Sequence, residues 1–426
     1  MPVTGIIAEY NPYHNGHSYQ LEALRRSHPD TRVIIAMSGS FTQRGTSVVL
    51  DKWTRARLAV QGGCDLVLEL PAVFALRSAQ DFARGGVRLF SRLGIVDSLA
   101  FGTELMEPDM LTNTAAIIDT EEVQQAIRHE MRQGTSYAAA ICHVLSLFTG
   151  IEEAALRQPN TILAIEYLRA LQAINTAWQK PGGANAPILQ PIPIQRKSTA
   201  YHDDALHAEI SSANALRLAL NRKTPDWDAI ARNVSPESVE ALQRAKNAGL
   251  PQMERLFLPI LARLHTIHLQ SLRSIYGINE GLEHRILRAA QTAKSLDGLV
   301  DAISSKRYPK SRIQRTMLHL LLSLQKSQIQ QMDHVGPAYA RVLAFNRHGR
   351  ELLRIMRRTS RIPVITKLSQ YLTSQDCLSE PETLQPCQQQ LVIDIRAAHL
   401  RNLTLPKMPA IGQDFLTSPF YLASGN

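Results

Sequence analysis

The first hundred residues alternate between two hydrophobic periods. Apolar runs at 3–8, 33–37, 66–70 and 98–101 are short and end in polar or turn residues, which predicts buried strands. Between them, 18–27, 52–61 and 80–93 repeat apolar residues every three or four positions and predict amphipathic helices. Gly62-Gly63 closes the second of these, as a helix C-terminus requires. Strand–helix alternation predicts right-handed crossovers and a parallel sheet, an α/β fold with ligands beyond the carboxyl ends of its strands. Residues 107–178 read as mostly helical, and 179–191, with Pro181-Gly182-Gly183, as a loop. Residues 191–195 suit a last strand, and 210–220 a helix opened by Ser211 or Ser212. From about 230 to 375 the pattern predicts helix almost throughout, and 380–390, with Pro381 and Pro386, a linker or long loop.

Composition bounds this picture. A chain of 426 residues, 44% hydrophobic, predicts two or three domains with real cores. No run approaches the roughly 18 apolar residues of a membrane span. Met1-Pro2-Val3-Thr4 carries no basic leader, so no signal peptide is expected. Cys64, Cys142, Cys377 and Cys387 form no Cys-x-x-Cys pair and no cluster with zinc spacing, so a reducing cytoplasm and no zinc are expected. The net charge of +10 is unevenly spread. From residue 231 onward there are 26 Lys and Arg against 14 Asp and Glu, while the first 230 residues carry a net −2. Such asymmetry suits a polyanion partner for the C-terminal part, nucleic acid first, or simply a solvated basic helical domain.

Candidate chemistry begins after the first strand. In Gly5-Ile6-Ile7-Ala8-Glu9-Tyr10-Asn11-Pro12-Tyr13-His14-Asn15-Gly16-His17, a strand ends in a polar turn and a helix begins near Gly16. A helix N-terminus offers free N–H groups and partial positive charge, which suits phosphate. Gly16 permits close approach to the backbone. His14 and His17, three apart, can face one ligand and donate to phosphate oxygens. The plainer alternative is a turn with two solvent-exposed histidines; metal binding lacks a third ligand. Ser38-Gly39-Ser40-Phe41-Thr42-Gln43-Arg44-Gly45 is a polar loop suited to phosphate or carboxylate. Asp51 suits an N-cap, and Lys52 a phosphate counter-charge. Gly102, at the end of the fourth strand, would let a base or ribose pack on the backbone, and Arg217 would supply a cation to a second phosphate-binding helix start.

Together these segments resemble the bacterial tRNA(Met) cytidine acetate ligase family. The similarity runs through Gly5 to His17, Ser38 to Gly45, Asp51-Lys52-Trp53, Asp65 to Pro71 and Phe101-Gly102-Thr103-Glu104. It continues through Pro159-Asn160-Thr161, Arg196 with Tyr201-His202-Asp203, Ile210 to Arg217, Glu280-Gly281-Leu282-Glu283 and Ser305 to Arg315. Gln158 and Thr103 stand where Gly and Ser are usual, Gln195 where Lys is common, and Lys197-Ser198-Thr199 is poorer in glycine. The resemblance implies a Rossmann-like nucleotidyltransferase domain over 1–225 and a basic, mainly helical tRNA-binding domain over 226–426. It implies activation of acetate by ATP as acetyl-adenylate, then acetyl transfer to the wobble cytidine of elongator tRNA(Met), with Mg²⁺ accompanying ATP. By analogy, Ile7, Ala8, Glu9, Tyr10, Asn11, Pro12, Tyr13, His14, Asn15, Gly16, His17 and Gln20 bind the nucleotide, with Gly102, Asn160 and Arg196 adding contacts. His14 and His17 would stabilise the transferring phosphates, and Lys52 is a third catalytic candidate.

Two basic clusters suit the tRNA. Arg347, Arg350, Arg354, Arg357 or Arg358, and Arg361 recur every three or four residues and so share one helix face. Lys306, Arg307, Lys310, Arg312 and Arg315 gather around Tyr308. A small-molecule adenylyltransferase would share the histidine motif without needing this region. A tRNA-binding protein that only senses ATP would need both.

Overall fold

The computed structural model describes residues 1–105, 108–179, 188–196, 206 and 210–423. Its centre is one eight-stranded sheet of β1 (Val3–Ala8), β2 (Arg32–Ser38), β3 (Leu66–Leu70), β4 (Ser98–Thr103), β5 (Gln190–Gln195), β6 (Ala340–Asn346), β7 (Val364–Ile365) and β8 (Phe420–Leu422). The order is β5-β4-β1-β2-β3-β6-β7, with β8 also pairing β6. The first five strands are mutually parallel. Chain order therefore reverses between β1 and β4, which opens a crevice at their carboxyl ends.

Alternation along β2 shows why the sheet is covered on both sides. Ile34 and Ala36 enter one core with Leu66 and Leu68. Val33, Ile35 and Met37 enter another with Val67. The helices α1 (Asn15–Ser27) and α2 (Lys52–Gln61) and the Ala79–Leu93 helix follow β1, β2 and β3, close to where periodicity predicts them. Asp51 caps α2, its side chain accepting from the Thr54 N–H at 2.9 Å. Ser212 caps the Ala213–Asn221 helix.

The helical reading of 230–375 fails at 340–346. There β6 pairs antiparallel with β3, aligning Leu68 with Val342 and Glu69 with Arg341. Ala340, Arg341, Val342, Leu343 and Ala344 are buried on both faces, so the run lacks the alternation that marks a half-exposed strand. The sheet thus draws strands from both sides of residue 225, and the predominantly helical stretch runs from Ala213 to Val335. The expected linker at 380–390 instead contains a short turn at Pro381–Thr383 and the start of the Pro386–Leu403 helix, which has proline in its first turn. All four cysteines are free. Among the described residues, no helix is long and apolar enough to cross a membrane.

Candidate active site

A cavity of about 1000 Å³ opens at the carboxyl ends of the parallel strands. Ile7, Ala8, Glu9, Tyr10, Asn11, His14, His17 and Gln20 line it from β1 and α1, Gly102 from β4, Asn160 from the Pro159–Gln179 helix, and Arg196 from just beyond β5. The structure thus brings together residues nearly two hundred positions apart. Tyr201-His202-Asp203 and Lys197-Ser198-Thr199 lie outside the described residues.

The two histidines are parts of the helix start. His14 is the N-cap of α1, and its Nδ1 accepts from the Gly16 N–H at 3.0 Å. His17 Nδ1 accepts from the His14 N–H at 3.2 Å, which completes a capping box. These partners assign the neutral tautomer that carries its proton on Nε2, leaving a donor on each ring for the cavity. The rings lie 3.8 Å apart at 33°, and the Tyr10 ring meets His17 edge-on at 4.6 Å. Tyr10 has φ +48°, a left-handed conformation that costs a bulky residue free energy and turns the chain sharply out of β1. Burial, with Arg196 and Arg217 near, holds His14 down to about 3. Burial, then His14 and Arg196, holds His17 well below its ordinary range. Both rings are therefore neutral donors at physiological pH, and the plainer alternative of a solvent-exposed pair does not hold for His14, which is buried.

Around the pair, the site offers donors and cations. Asn11 Oδ1 accepts from the Val49 N–H at 2.8 Å, and its buried Nδ2 has no hydrogen-bond partner among the described residues. Such an orphan donor suits a ligand oxygen. Arg217 donates to the Asn11 carbonyl at 2.8 Å, which places its guanidinium beside the turn. Arg196 donates to Asn160 Oδ1 at 3.3 Å, and Asn160 donates to Glu104 at 2.5 Å. A Cβ on Gly102 would lie 3.0 Å from Arg196 Cγ, so this glycine makes room for the arginine stem.

Not every expected contact reaches the wall. Pro12 and Tyr13 are buried behind it, and the Tyr13 hydroxyl donates to the Gly62 carbonyl at 3.2 Å. Asn15 turns away to donate to the Arg232 carbonyl at 2.9 Å. Gly16 borders a small adjoining hollow with Gly102, Arg196 and Ser212. Lys52 is the clear correction. Its ammonium sits between Glu69 at 2.8 Å and Asp414 at 2.5 Å, buried under the sheet's C-terminal cover with Arg341. A lysine so paired has no free charge for a nucleotide, and it does not line the cavity.

Arg55 and part of the wall opposite the histidines have no signal in the sequence. Arg55, fully buried, donates to the Glu9 carbonyl at 2.5 Å, to the Ser38 carbonyl at 3.0 Å and to the Gly39 carbonyl. It ties the ends of β1 and β2 together, and burial pushes it down to about 10. The wall itself faces the crevice. The Thr42–Thr46 loop, Arg77 and Asp81 meet Tyr276, Arg312, Arg315 and Asp333 from the helical part. Glu9 stands between the two halves. The Gln43 N–H donates to its carboxylate at 2.5 Å. Burial pushes this carboxyl up, opposed by that N–H and by Arg217, Arg55 and Arg44. An arginine inside an amphipathic helix carries no local mark of a partner on another strand, so Arg55 has no sequence signal. Of the wall, Thr42 to Arg44 and the pair Arg312 and Arg315 are sequence candidates, whereas Arg77, Asp81, Tyr276 and Asp333 are not.

A five-strand parallel core with a His-x-Gly-His helix start at its switch point defines a nucleotidyltransferase, and the HIGH Nucleotidyl Transferase family matches residues 1–413. Within that class, the tRNA(Met) cytidine acetate ligase of Syntrophomonas wolfei is 36% identical over 430 residues, 98% of this chain and 99% of that one. That of Halothermothrix orenii is 34% identical over 420 residues, 95% and 96% of the two chains. The chain belongs to the tRNA(Met) cytidine acetate ligase family. Crystal structures of Thermotoga maritima TmcAL, apo and bound with alpha-thio ATP, match it with TM-scores of 0.87 and 0.86. Their identities are 29% and 28%, and each match covers 100% of both chains.

Proposed function

We propose that this protein activates acetate with ATP and transfers the acetyl group to the N4 amine of the wobble cytidine of elongator tRNA(Met), forming N4-acetylcytidine. The observation that carries this reading is that one cavity joins the histidine pair at the β1–β4 crevice to an arginine-bearing wall from the helical part. A nucleotide site alone would suit any adenylyltransferase. A nucleotide site sharing its space with a basic wall suits one whose acceptor is a nucleic acid.

In the first half-reaction an acetate oxygen attacks the α-phosphorus of ATP, and pyrophosphate leaves. The Nε2–H groups of His14 and His17 and the first N–H groups of α1 donate to the phosphate oxygens as charge develops. Neutral imidazoles suit this role, because each keeps its Nδ1 cap and never releases its proton. Asn11 Nδ2 and Arg217 supply further donors, and Asn160 and Arg196 hold the far end of the nucleotide against Gly102. In the second half-reaction the cytidine amine attacks the acetyl carbon, AMP leaves, and the amine loses a proton. Acetate needs only a small polar pocket. Mg²⁺ would enter on the ATP phosphates, whose charge it neutralises. A tRNA substrate places the reaction in the cytoplasm.

The test is to incubate the protein with ATP, labelled acetate and unmodified tRNA(Met), then digest the tRNA to nucleosides. Label in N4-acetylcytidine is expected, together with ATP–pyrophosphate exchange that needs acetate but not tRNA. Exchange without acetate, or acetylation from acetyl-coenzyme A without ATP, would refute the reading.

A further inference from the structure

The helical wall of the cavity holds a charge imbalance. Arg77 is balanced by Asp81 at 2.9 Å and Asp333 at 2.6 Å, and Arg307 is paired with Glu280. Arg312 and Arg315 both line the cavity, yet neither has a carboxylate within 4.0 Å among the described residues. They are three apart on the Lys310–Leu321 helix and so share a face. Each is fixed by a contact that leaves its charge in place. Arg315 Nη1 donates to the Gln43 carbonyl at 3.0 Å, and the Arg312 guanidinium lies 4.8 Å from the centre of the Tyr308 ring. Burial pushes Arg315 down to about 10, with Arg312 and Arg44 adding to it and Tyr276 and Asp81 opposing. Two neighbouring cations in a partly closed space repel one another until an anion joins them.

We propose that Arg312 and Arg315 seat a phosphodiester flanking the cytidine to be acetylated, so that this nucleotide is drawn from its stack into the cavity. The inference rests on the proposed function and adds the substrate contact made inside the site. Two guanidiniums match a singly charged phosphodiester, and phosphate contacts fix register while the base remains free to react. The ATP phosphates have their own donors at the crevice, in His14, His17, Asn11 and Arg217. The phosphate seat is also wired to the reacting end. Gln43, whose carbonyl accepts from Arg315, donates its N–H to Glu9.

The test uses the full-length protein and tRNA(Met) assembled by ligation, with one uncharged methylphosphonate placed 5′ or 3′ of the target cytidine. With wild-type protein, one of the two positions should lower kcat/KM for acetyl transfer by about tenfold or more, as for loss of a charge-assisted contact. Arg312→Gln should lose a similar factor with unmodified tRNA, and the methylphosphonate should then cost it less than about twofold more. Arg315→Lys keeps the charge without the planar fork and should lose less than Arg312→Gln. Acetate-dependent pyrophosphate exchange should be unchanged in Arg312→Gln. Full transfer by Arg312→Gln, or losses that simply add, would overturn the seat. So would weakened inhibition by pyrophosphate in Arg312→Gln with no methylphosphonate effect, which would give these arginines to the leaving group. Absence of acetate-dependent exchange in the wild type would instead refute the proposed function.

Discussion

The imidazole of His14 lies across the α-carbon of Gly16. A Cβ on Gly16 would sit 2.8 Å from His14 Cε1 and 3.0 Å from Nδ1. This glycine therefore makes room for the cap that fixes the ring's tautomer. In Gly16→Ala the ring must swing off its cap, so both catalysis and the helix start should suffer. Acetate-dependent pyrophosphate exchange is expected to fall by about tenfold to a hundredfold, and stability by about 1 kcal/mol. Exchange assays and thermal unfolding check the two effects, and a near-normal exchange rate would mean that the His14 position is not critical.

His17 donates to the cavity through Nε2 while its Nδ1 is spent on the His14 N–H. His17→Ala should cut acetyl-adenylate formation by about a hundredfold or more, with much less effect on ATP affinity. His17→Gln, whose amide can still donate, should recover part of the loss. An alanine variant with wild-type exchange would remove His17 from phosphate stabilisation.

The buried histidines also set the acid limit of the fold. His14 at about 3 and His319 at about 4 both lie below the ordinary 6.5, and His17 is lowered as well. Below pH 6.5 these rings gain protons in the unfolded chain but not in the folded one. Stability should therefore fall as pH drops from about 6.5 toward 4, each ring contributing at most about 1.4 kcal/mol per pH unit. Thermal unfolding between pH 7.5 and 5 measures the slope, and His14→Gln should flatten it. Exchange activity should show no inflection near 6.5, because neither histidine changes charge there.

Much of this was legible in the sequence because it is local. The strands β1 to β4 are short apolar runs between turns, and the His-x-Gly-His start follows β1 directly. The role of β6 was not legible, because a five-residue run buried on both faces has the same pattern as a buried helix segment. Its pairing with β3 spans roughly 270 residues and leaves no local trace. Lys52 was misread for the same reason. It follows an N-cap aspartate, where a phosphate-binding cation is plausible, but Glu69, Arg341 and Asp414 come together only in three dimensions.

That cluster makes its own prediction. Lys52 and Arg341 face Glu69 and Asp414 with all four side chains almost wholly buried. Against its burial, the two cations hold Asp414 below the usual carboxylate range. In Lys52→Met two buried carboxylates would share one cation, a loss of about 3–5 kcal/mol. Unfolding should shift to much lower temperature, while exchange per folded molecule stays near wild type. A catalytic Lys52 would give the opposite pattern, a stable protein without exchange.

The arginine stripe on the Arg347–Thr359 helix tests how tRNA reaches the cavity. Leu352, Leu353 and Met356 are buried against the body of the protein, while Arg350, Arg354, Arg357 and Arg358 are exposed. None of them lines the cavity. Arg350 lies 5.6 Å from the centre of the Tyr421 ring, so reversing it would also disturb β8. Arg354 and Arg358 are the cleaner pair, being four residues apart with no carboxylate partner among the described residues. If they track phosphates outside the cavity, Arg354→Glu with Arg358→Glu should weaken tRNA binding. It should also flatten the plot of log affinity against log salt by about one unit per lost contact. Acetate-dependent exchange should be unchanged, since that half-reaction needs no tRNA. The effect should also be independent of Arg312→Gln, because the two sites would hold different phosphates: losses in transfer should multiply when the variants are combined. Unchanged tRNA affinity and salt slope in a folded double variant would take this helix out of the tRNA surface. The cavity arginines and their neighbours on the Lys310–Leu321 helix would then carry the contact.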